Sequence, residues 1–542
     1  MAKHSLFVGA VSLTLLGACS GNVARSDAAG GSGGSGGGGL GDSFQAGGSS
    51  SSAIKGSGGA PSKGIGEVQS KGSGGAPSKG SGGAPSKATG EGGNSGLKGL
   101  AGGESLGGAG AGSGNAGSGG GSAGSGSAGA GGSGTTSLHI TSARAFPGSQ
   151  IAMVGLRVAI DSQDTAVVVG PSATSNTGDP GPAVTWVPVN GTIRQKVFAN
   201  EPTPNAIAVD PSDAVWLTGQ LEHAATFGGT TVQATSSGYY LVKLGPDGKN
   251  IFTKAIVRAE TNTVWDGGYS IAFDSAGNAY VVGILVLGDP DFHCTVLVNK
   301  FSPSGTLLAD RVFHSTSPMQ AMARDVAFAP NGDLVIAGVF DETLQVGTTK
   351  LTSASGQYSN GFVAILDPAD LAPKRAFSFG GANYYDTATS VDVTSTGALR
   401  VSGILAGASS IGGKGVQAQT GGSAFIAELT PTGTANWVHL IQGSVSGIVW
   451  QTSTRADDQT FAVGRVDGAQ TAFFSVIDGA GTLTSPVSFT GAGQNGALAT
   501  AADRHGGVWV AMEGSGSTSF GSATVFGASS EPLVNWLVHI EP

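Results

Sequence analysis

Between about Ser137 and Pro542, hydrophobic positions come in short runs rich in Val, Ile, Phe, Thr and Tyr, and the runs stop at Gly, Asp, Asn or Pro. Short runs of this composition, bounded by turn formers, predict β-strands joined by tight turns. The runs also repeat. Ile207-Ala-Val-Asp210 leads through a turn to Trp216-Leu-Thr-Gly219, and Ile271-Ala-Phe-Asp274 leads in the same way to Tyr280-Val-Val-Gly283. Val326–Ala329 with Val335–Gly338, Val391–Thr394 with Arg400–Gly403, and Val158–Asp161 with Val167–Gly170 follow the same pattern. Weaker copies run from Arg455 to Gly464 and from Asp503 to Met512, the last with Met in place of Gly. The residue that ends the first strand thus falls at 161, 210, 274, 329, 394, 455 and 503, in steps of 48 to 65 residues.

Each unit has a second half. Gly238–Leu244 is followed by the turn Gly245-Pro-Asp-Gly248 and by Ile251–Lys254, and Gly361–Leu366, Ala424–Leu429 and Thr471–Ile477 occupy the same place in other units. These predict strands three and four of a four-stranded meander. Small-residue corners such as Thr226-Phe-Gly-Gly-Thr230 and Thr518-Ser-Phe-Gly-Ser522 separate the halves, Gly supplying the positive φ that tight corners need. Seven all-strand units of this size predict a radial array: an all-β, seven-bladed propeller of four-stranded blades over residues 137–542. The seventh unit ends on its third strand, Trp536–Ile540, so its fourth must come from elsewhere. The strand-like segment Leu138–Phe146 is the candidate, and as the outermost strand of the last blade it would close the ring and remove an open end.

The first quarter of the chain is unlike the rest. Residues 19–136 are Gly, Ser and Ala with few large apolar side chains, too little surface to offset backbone entropy, so a disordered tether is expected. Lys55-Gly-Ser-Gly-Gly-Ala-Pro-Ser62 recurs at Lys71–Ser78 and Lys79–Ser86. A flexible coil of this length has a root-mean-square span of roughly 55–65 Å. Before it, residues 1–18 have the layout of a secretory signal: Lys3 and His4, then an apolar stretch from Leu6 to Leu16 too short to span a bilayer.

The signal ends in Leu16-Gly17-Ala18-Cys19, which resembles the lipobox of bacterial lipoproteins. That resemblance implies cleavage before Cys19, a diacylglycerol on its sulfur, and membrane attachment through the lipid. Ser20 and Gly21 follow, not the Asp that retains some lipoproteins at the inner membrane, so the outer membrane or cell surface is the expected location. Farther on, the phrase Ser270–Gly283, the Phe-Gly-Gly corner and third strands such as Gly361–Leu366 resemble the β-propeller repeats of bacterial extracellular surface proteins. That resemblance covers most of 137–542. It implies the fold and leaves activity open.

Composition narrows the function classes. Charged residues are only 12% and net charge is −9. Without long basic stretches, a nucleic-acid partner is not expected. Subtracting the leader and tether leaves −12 on residues 137–542, which favours cationic or neutral partners over anionic glycans. The two cysteines are Cys19 and Cys294; with Cys19 lipidated, no intrachain disulfide forms and Cys294 is a small buried hydrophobe.

Candidate chemistry is sparse. Asp161, Asp210, Asp274 and Asp503 end first strands, either as a cation-binding ring or, the better reading, as turn residues bonding their own backbone. Asp289, Asp291, His293 and Cys294 could hold a transition metal, yet adjacent strand residues point to opposite faces, so His293 and Cys294 are not expected to share a site. His223, His314, His439 and His505 lie in different blades, and Trp265 and Trp450 are candidates for a ligand funnel or for core packing. No catalytic residue, metal or cofactor is assigned. The expected function is a monomeric, lipid-anchored binding or scaffold module for an extracellular protein or glycan. The alternative is an enzyme on an extracellular polymer, marked by His and carboxylate groups within about 3 Å at a channel mouth.

Overall fold

A computed structural model describes residues 139–147 and most of 156–541. The leader, the tether and Cys19 lie outside the described residues, as do several loop segments. The described chain forms seven antiparallel blade sheets, met in sequence order, and is a seven-bladed β-propeller; six sheets have four strands, and that of blade 6 is extended to six by the hairpin Thr518–Phe520 with Ala523–Thr524. Blade 1 uses Arg157–Ile160, Ala166–Pro171, Pro182–Val187 and Arg194–Val197. Blades 2 to 6 follow with inner strands Ala206–Val209, Thr263–Phe273, Ala321–Phe328, Thr387–Val393 and Gly447–Thr454. Blade 7 starts at Asn495–Ala502, and its outermost strand is His139–Pro147, paired antiparallel to Val534–Glu541. The expected closing strand is therefore in place.

Period-two alternation explains how one strand serves two cores. In Leu334–Phe340, every residue is buried. Leu334 and Ile336 join the apolar cluster between blades 3 and 4, while Val335 and Ala337 join the one between blades 4 and 5. The pattern runs round the ring, and the last cluster packs Val158 and Val168 of blade 1 on Trp509 and Leu537 of blade 7. Blade-to-blade burial, at about 1.5–3 kcal/mol for each fully buried large aliphatic side chain, is what holds the array together.

The repeated glycine has a specific cause. In blades 3 to 6 the inner strand carries a β-bulge, and the strand-two glycine sits beside it: Gly283, Gly338, Gly403 and Gly464. A β-carbon at any of these would fall well inside 3 Å of an inner-strand carbonyl oxygen, those of Gly267, Met322, Thr387 and Ile448. The bulge draws the inner backbone onto strand two, and only Gly fits. Blade 7 departs from this, with buried Met512 beside its bulge.

The expected small-residue corners are more than corners. In blades 2, 4 and 5 they form two-stranded flaps, Ala225–Phe227 with Thr230–Val232, Thr343–Val346 with Thr349–Thr352, and Ala408–Ile411 with Lys414–Gln417. Gly228 and Gly229 at one tip have φ of 58° and 86°. The flaps of blades 4 and 5 bond to the segment that leaves the preceding blade's outer strand, through Leu344 with Ser315 and Ser410 with Gly380.

Candidate functional site

The recurring aspartates are turn residues, as expected. Asp274 Oδ1 accepts bonds from the backbone N–H groups of Ala276 and Asn278, and Asp210 Oδ1 from those of Ser212 and Ala214. Their second oxygens anchor neighbours: Asp210 Oδ2 takes the Trp216 Nε1–H at 2.9 Å and the Lys243 ammonium at 2.8 Å. Burial pushes the Asp210 carboxyl up, but bonds from Lys243, Ser212, Trp216 and Ala214 outweigh it and hold the pKa at about 2.

A second aspartate, three residues later in the turn, was not singled out from sequence. Asp164, Asp213 and Asp458 have φ of 58°, 61° and 63°, where other blades place Gly277, Gly332, Gly397 and Gly506. Each of the three reaches the preceding blade. Asp213 accepts from Ser162 N–H and O–H, Asp458 from Ser395 N–H and O–H, and Asp164 from Arg504 across the ring junction. The signal was legible as Asp in a slot that otherwise takes Gly, since Asp tolerates left-handed backbone. Cations clamp the other turns of this end: Arg194 donates to Pro246 O, Lys300 to Pro368 O and Arg311 to Asp370 O, each on the next blade.

The histidines are not brought together. His223 and His314 are exposed, His439 Nε2 bonds Gly481 O at 2.7 Å, and exposed His505 meets Asp164 at 3.0 Å. Buried His539, not singled out from sequence, has the sharpest geometry: Nε2 lies 2.7 Å from Asp503 Oδ2 and Nδ1 lies 2.5 Å from Thr141 Oγ1. Hydroxyl, imidazole and carboxylate in line resemble a nucleophile relay. The repeat explains them otherwise. His539 faces Trp509 in the ladder as Lys243 faces Trp216, and Asp503 stands where Asp210 stands. The imidazole is blade 7's counterpart of that ammonium, packed 4.6 Å from the Trp509 ring and tying in the closing strand.

Cys294 is fully buried between blades 3 and 4, while half-buried His293 precedes it. Asp289 and Asp291 lie outside the described residues. Among the described residues no three His, Cys, Asp or Glu side chains group as a metal site.

The inner strands carry no histidine; their chemistry is a charged network. Asp325 is its hub. Oδ1 accepts from Ser270 Oγ of blade 3 at 2.8 Å and from Val326 N–H, while Oδ2 accepts from Ser390 Oγ of blade 5 at 2.7 Å and Val391 N–H at 3.0 Å. Burial pushes its carboxyl above the ordinary range and depresses Arg157 and Arg324 near it. Half-buried Trp450 packs 5.3 Å from the Arg465 guanidinium; the Trp265 side chain is outside the described residues. Asp325 thus ties blade 4 to blades 3 and 5.

Open space lies at the rim. A groove of about 580 Å³ runs between blades 4 and 5, bounded by the ends of both flaps and the turn Thr432-Gly433-Thr434. Asn360 and Phe379 also line it. Beside it, Asp386 N–H bonds Ser359 O at 2.9 Å and so joins the segments bearing Tyr385 and Tyr358, whose rings stand edge to face at 5.2 Å. Below them, burial pushes Asp341 up to about 6, against a bond from Ser359, and Asp386 also to about 6.

No protein family matches the chain, and no curated protein matches it. Solved structures similar to it include a chain of the mitotic checkpoint complex (9% identity, TM-score 0.41, 73% of this chain and 91% of that one). The quinohemoprotein alcohol dehydrogenase of Comamonas testosteroni gives 11%, 0.38, 74% and 76%. The PQQ-bound aldose sugar dehydrogenase of Streptomyces coelicolor gives 10%, 0.33, 75% and 98%. At such identities and TM-scores the likenesses carry nothing about activity, ligand or partner.

Proposed function

We propose that this chain is a lipid-anchored propeller, displayed at the outer membrane or cell surface, that binds an extracellular partner at its flap-bearing rim. One observation carries the reading: the blades differ most in their flaps, and two of these flaps frame the groove between blades 4 and 5. Elsewhere on the ring, by contrast, Asp325, Asp458 and Asp164 are spent on blade-to-blade bonds. A rigid scaffold that varies at its rim suits recognition. The carboxylate–imidazole pairs His539–Asp503 and His505–Asp164 belong to that scaffold at the turn end, which weighs against the polymer-cleaving alternative.

The test uses the full chain and the extracellular matrix of the cells that produce it. Retention on that matrix is expected to fall when exposed Ser410 on the blade 5 flap becomes Arg, and to persist when Lys249 on the turn end becomes Glu. Equal loss from both, or from neither, would overturn the assignment of the rim.

A further inference from the structure

We propose that the groove between blades 4 and 5 binds a neutral oligosaccharide, a step that rests on the rim reading above and names its ligand class. Its volume, about 580 Å³, falls in the range of small-ligand sites, roughly 300–1,000 Å³. The lining is polar yet uncharged. Hydroxyls come from Thr352, Ser378, Ser410 and Thr434, while the buried Asn360 amide behind them is spent on Phe379 O and Ala354 N–H. Among the described residues the hydroxyls of Thr352, Ser378 and Ser410 make no hydrogen bond to the protein.

That chemistry selects its ligand. An anion would find no cation in the lining, and the domain's charge of −12 repels it at long range. A cation would find no carboxylate there. A purely apolar ligand would strand the hydroxyls. What remains is a neutral molecule dense in hydroxyl groups. Gly413 leaves its backbone open to such a ligand, since even an added β-carbon there would meet nothing within 4 Å.

The tyrosine pair adds the second element of sugar recognition. A pyranose has an apolar C–H face that packs on an aromatic ring, and Tyr offers such a face with a polar tip. Tyr385 is 46% exposed, an unusual position for a large aromatic side chain. A β-carbon at Gly380, in the groove wall, would press on both Asn360 and Asp386, which places the residue next to Tyr385 at the groove's end. A chain lying in the groove can therefore run out onto the Tyr358–Tyr385 pair.

The experiment titrates full-length protein, by calorimetry and saturation-transfer NMR, with cellohexaose, laminarihexaose, xylohexaose and chitohexaose, and with hexagalacturonate as the acidic control. Saturable binding of at least one neutral chain is expected, with no binding of hexagalacturonate. Tyr385→Ala should weaken it roughly fivefold or more, Ser410→Arg should abolish it, and Lys249→Glu should leave it unchanged, all with wild-type circular dichroism. No saturable binding of any neutral chain, equal binding of hexagalacturonate, or affinity indifferent to both groove substitutions would overturn the inference. If those results come with matrix retention that still depends on Ser410, the ligand class alone fails; if retention is also indifferent to Ser410, the rim reading fails with it.

Discussion

Replacing Gly338 by Ala tests why the repeat carries glycine at that place. The new β-carbon would overlap the Met322 carbonyl oxygen and would also meet Ala323 Cα and Phe362 Cε1 at 2.9 Å. Restoring an ordinary separation needs the inner strand and strand two to part by about 1 Å, an overpacking of the kind that costs roughly 1–3 kcal/mol. Two of the close neighbours are backbone, so no rotamer change relieves them, and ladder bonds of the bulge must lengthen. Each buried backbone group left unpaired adds about 1–3 kcal/mol. The expected loss is roughly 3–5 kcal/mol. Gly415→Ala is the control: it lies in the blade 5 flap with nothing within 4 Å of its added carbon, and a shift within about 0.5 kcal/mol is expected. Urea unfolding of the full chain, followed by tryptophan fluorescence, measures both. If Gly338→Ala unfolds at the wild-type midpoint, the explanation of the repeat glycine is wrong.

Further expectations concern other links. Asp325→Ala leaves two serine hydroxyls and two backbone N–H groups without their acceptor, and a loss of roughly 2–4 kcal/mol in the same assay is expected; a neutral result would remove Asp325 as the hub. Asp341 has its pKa raised to about 6 by burial, so its contribution is complete below the unfolded value near 4 and is lost as pH rises through about 6. Asp341→Asn should therefore exceed the wild type in stability at pH 8, by on the order of 1–2 kcal/mol, and lose less between pH 5 and pH 8; superimposable pH profiles would contradict this. Intact mass of the mature protein should show a chain cut before Cys19 and enlarged by its acyl chains, whereas a chain of unmodified mass would end the lipoprotein reading.

Most of the fold was legible because a propeller repeats its physics. The strand-two glycine recurs nine residues after the end of strand one in six units, an apolar third strand follows at a variable distance, and counting strands exposed the gap that His139–Pro147 fills. The reason for the glycine was not legible, because a bulge is a register event with no residue signature of its own. The flaps read only as corners, since runs as short as Ala225–Phe227 look like turn sequence until they pair. The groove was invisible for a related cause: its lining comes from four separate stretches between Thr352 and Thr434, and none is unusual alone. Asp325 is one carboxylate among 36 acidic residues, and what marks it is the serines of two other blades.

The propeller is a ring closed by the strand His139–Pro147, which precedes blade 1 in the chain. Hydrogen–deuterium exchange on the full chain, wild type against Ala143→Pro with Ala145→Pro, tests this directly, because those residues pair with Val538 and Trp536. Loss of protection in Val534–Glu541, spreading to the blade 1–blade 7 core around Trp509 while Leu334–Phe340 of blade 4 stays protected, is the expected result. Unchanged protection of Val534–Glu541 would show that the strand does not close the ring.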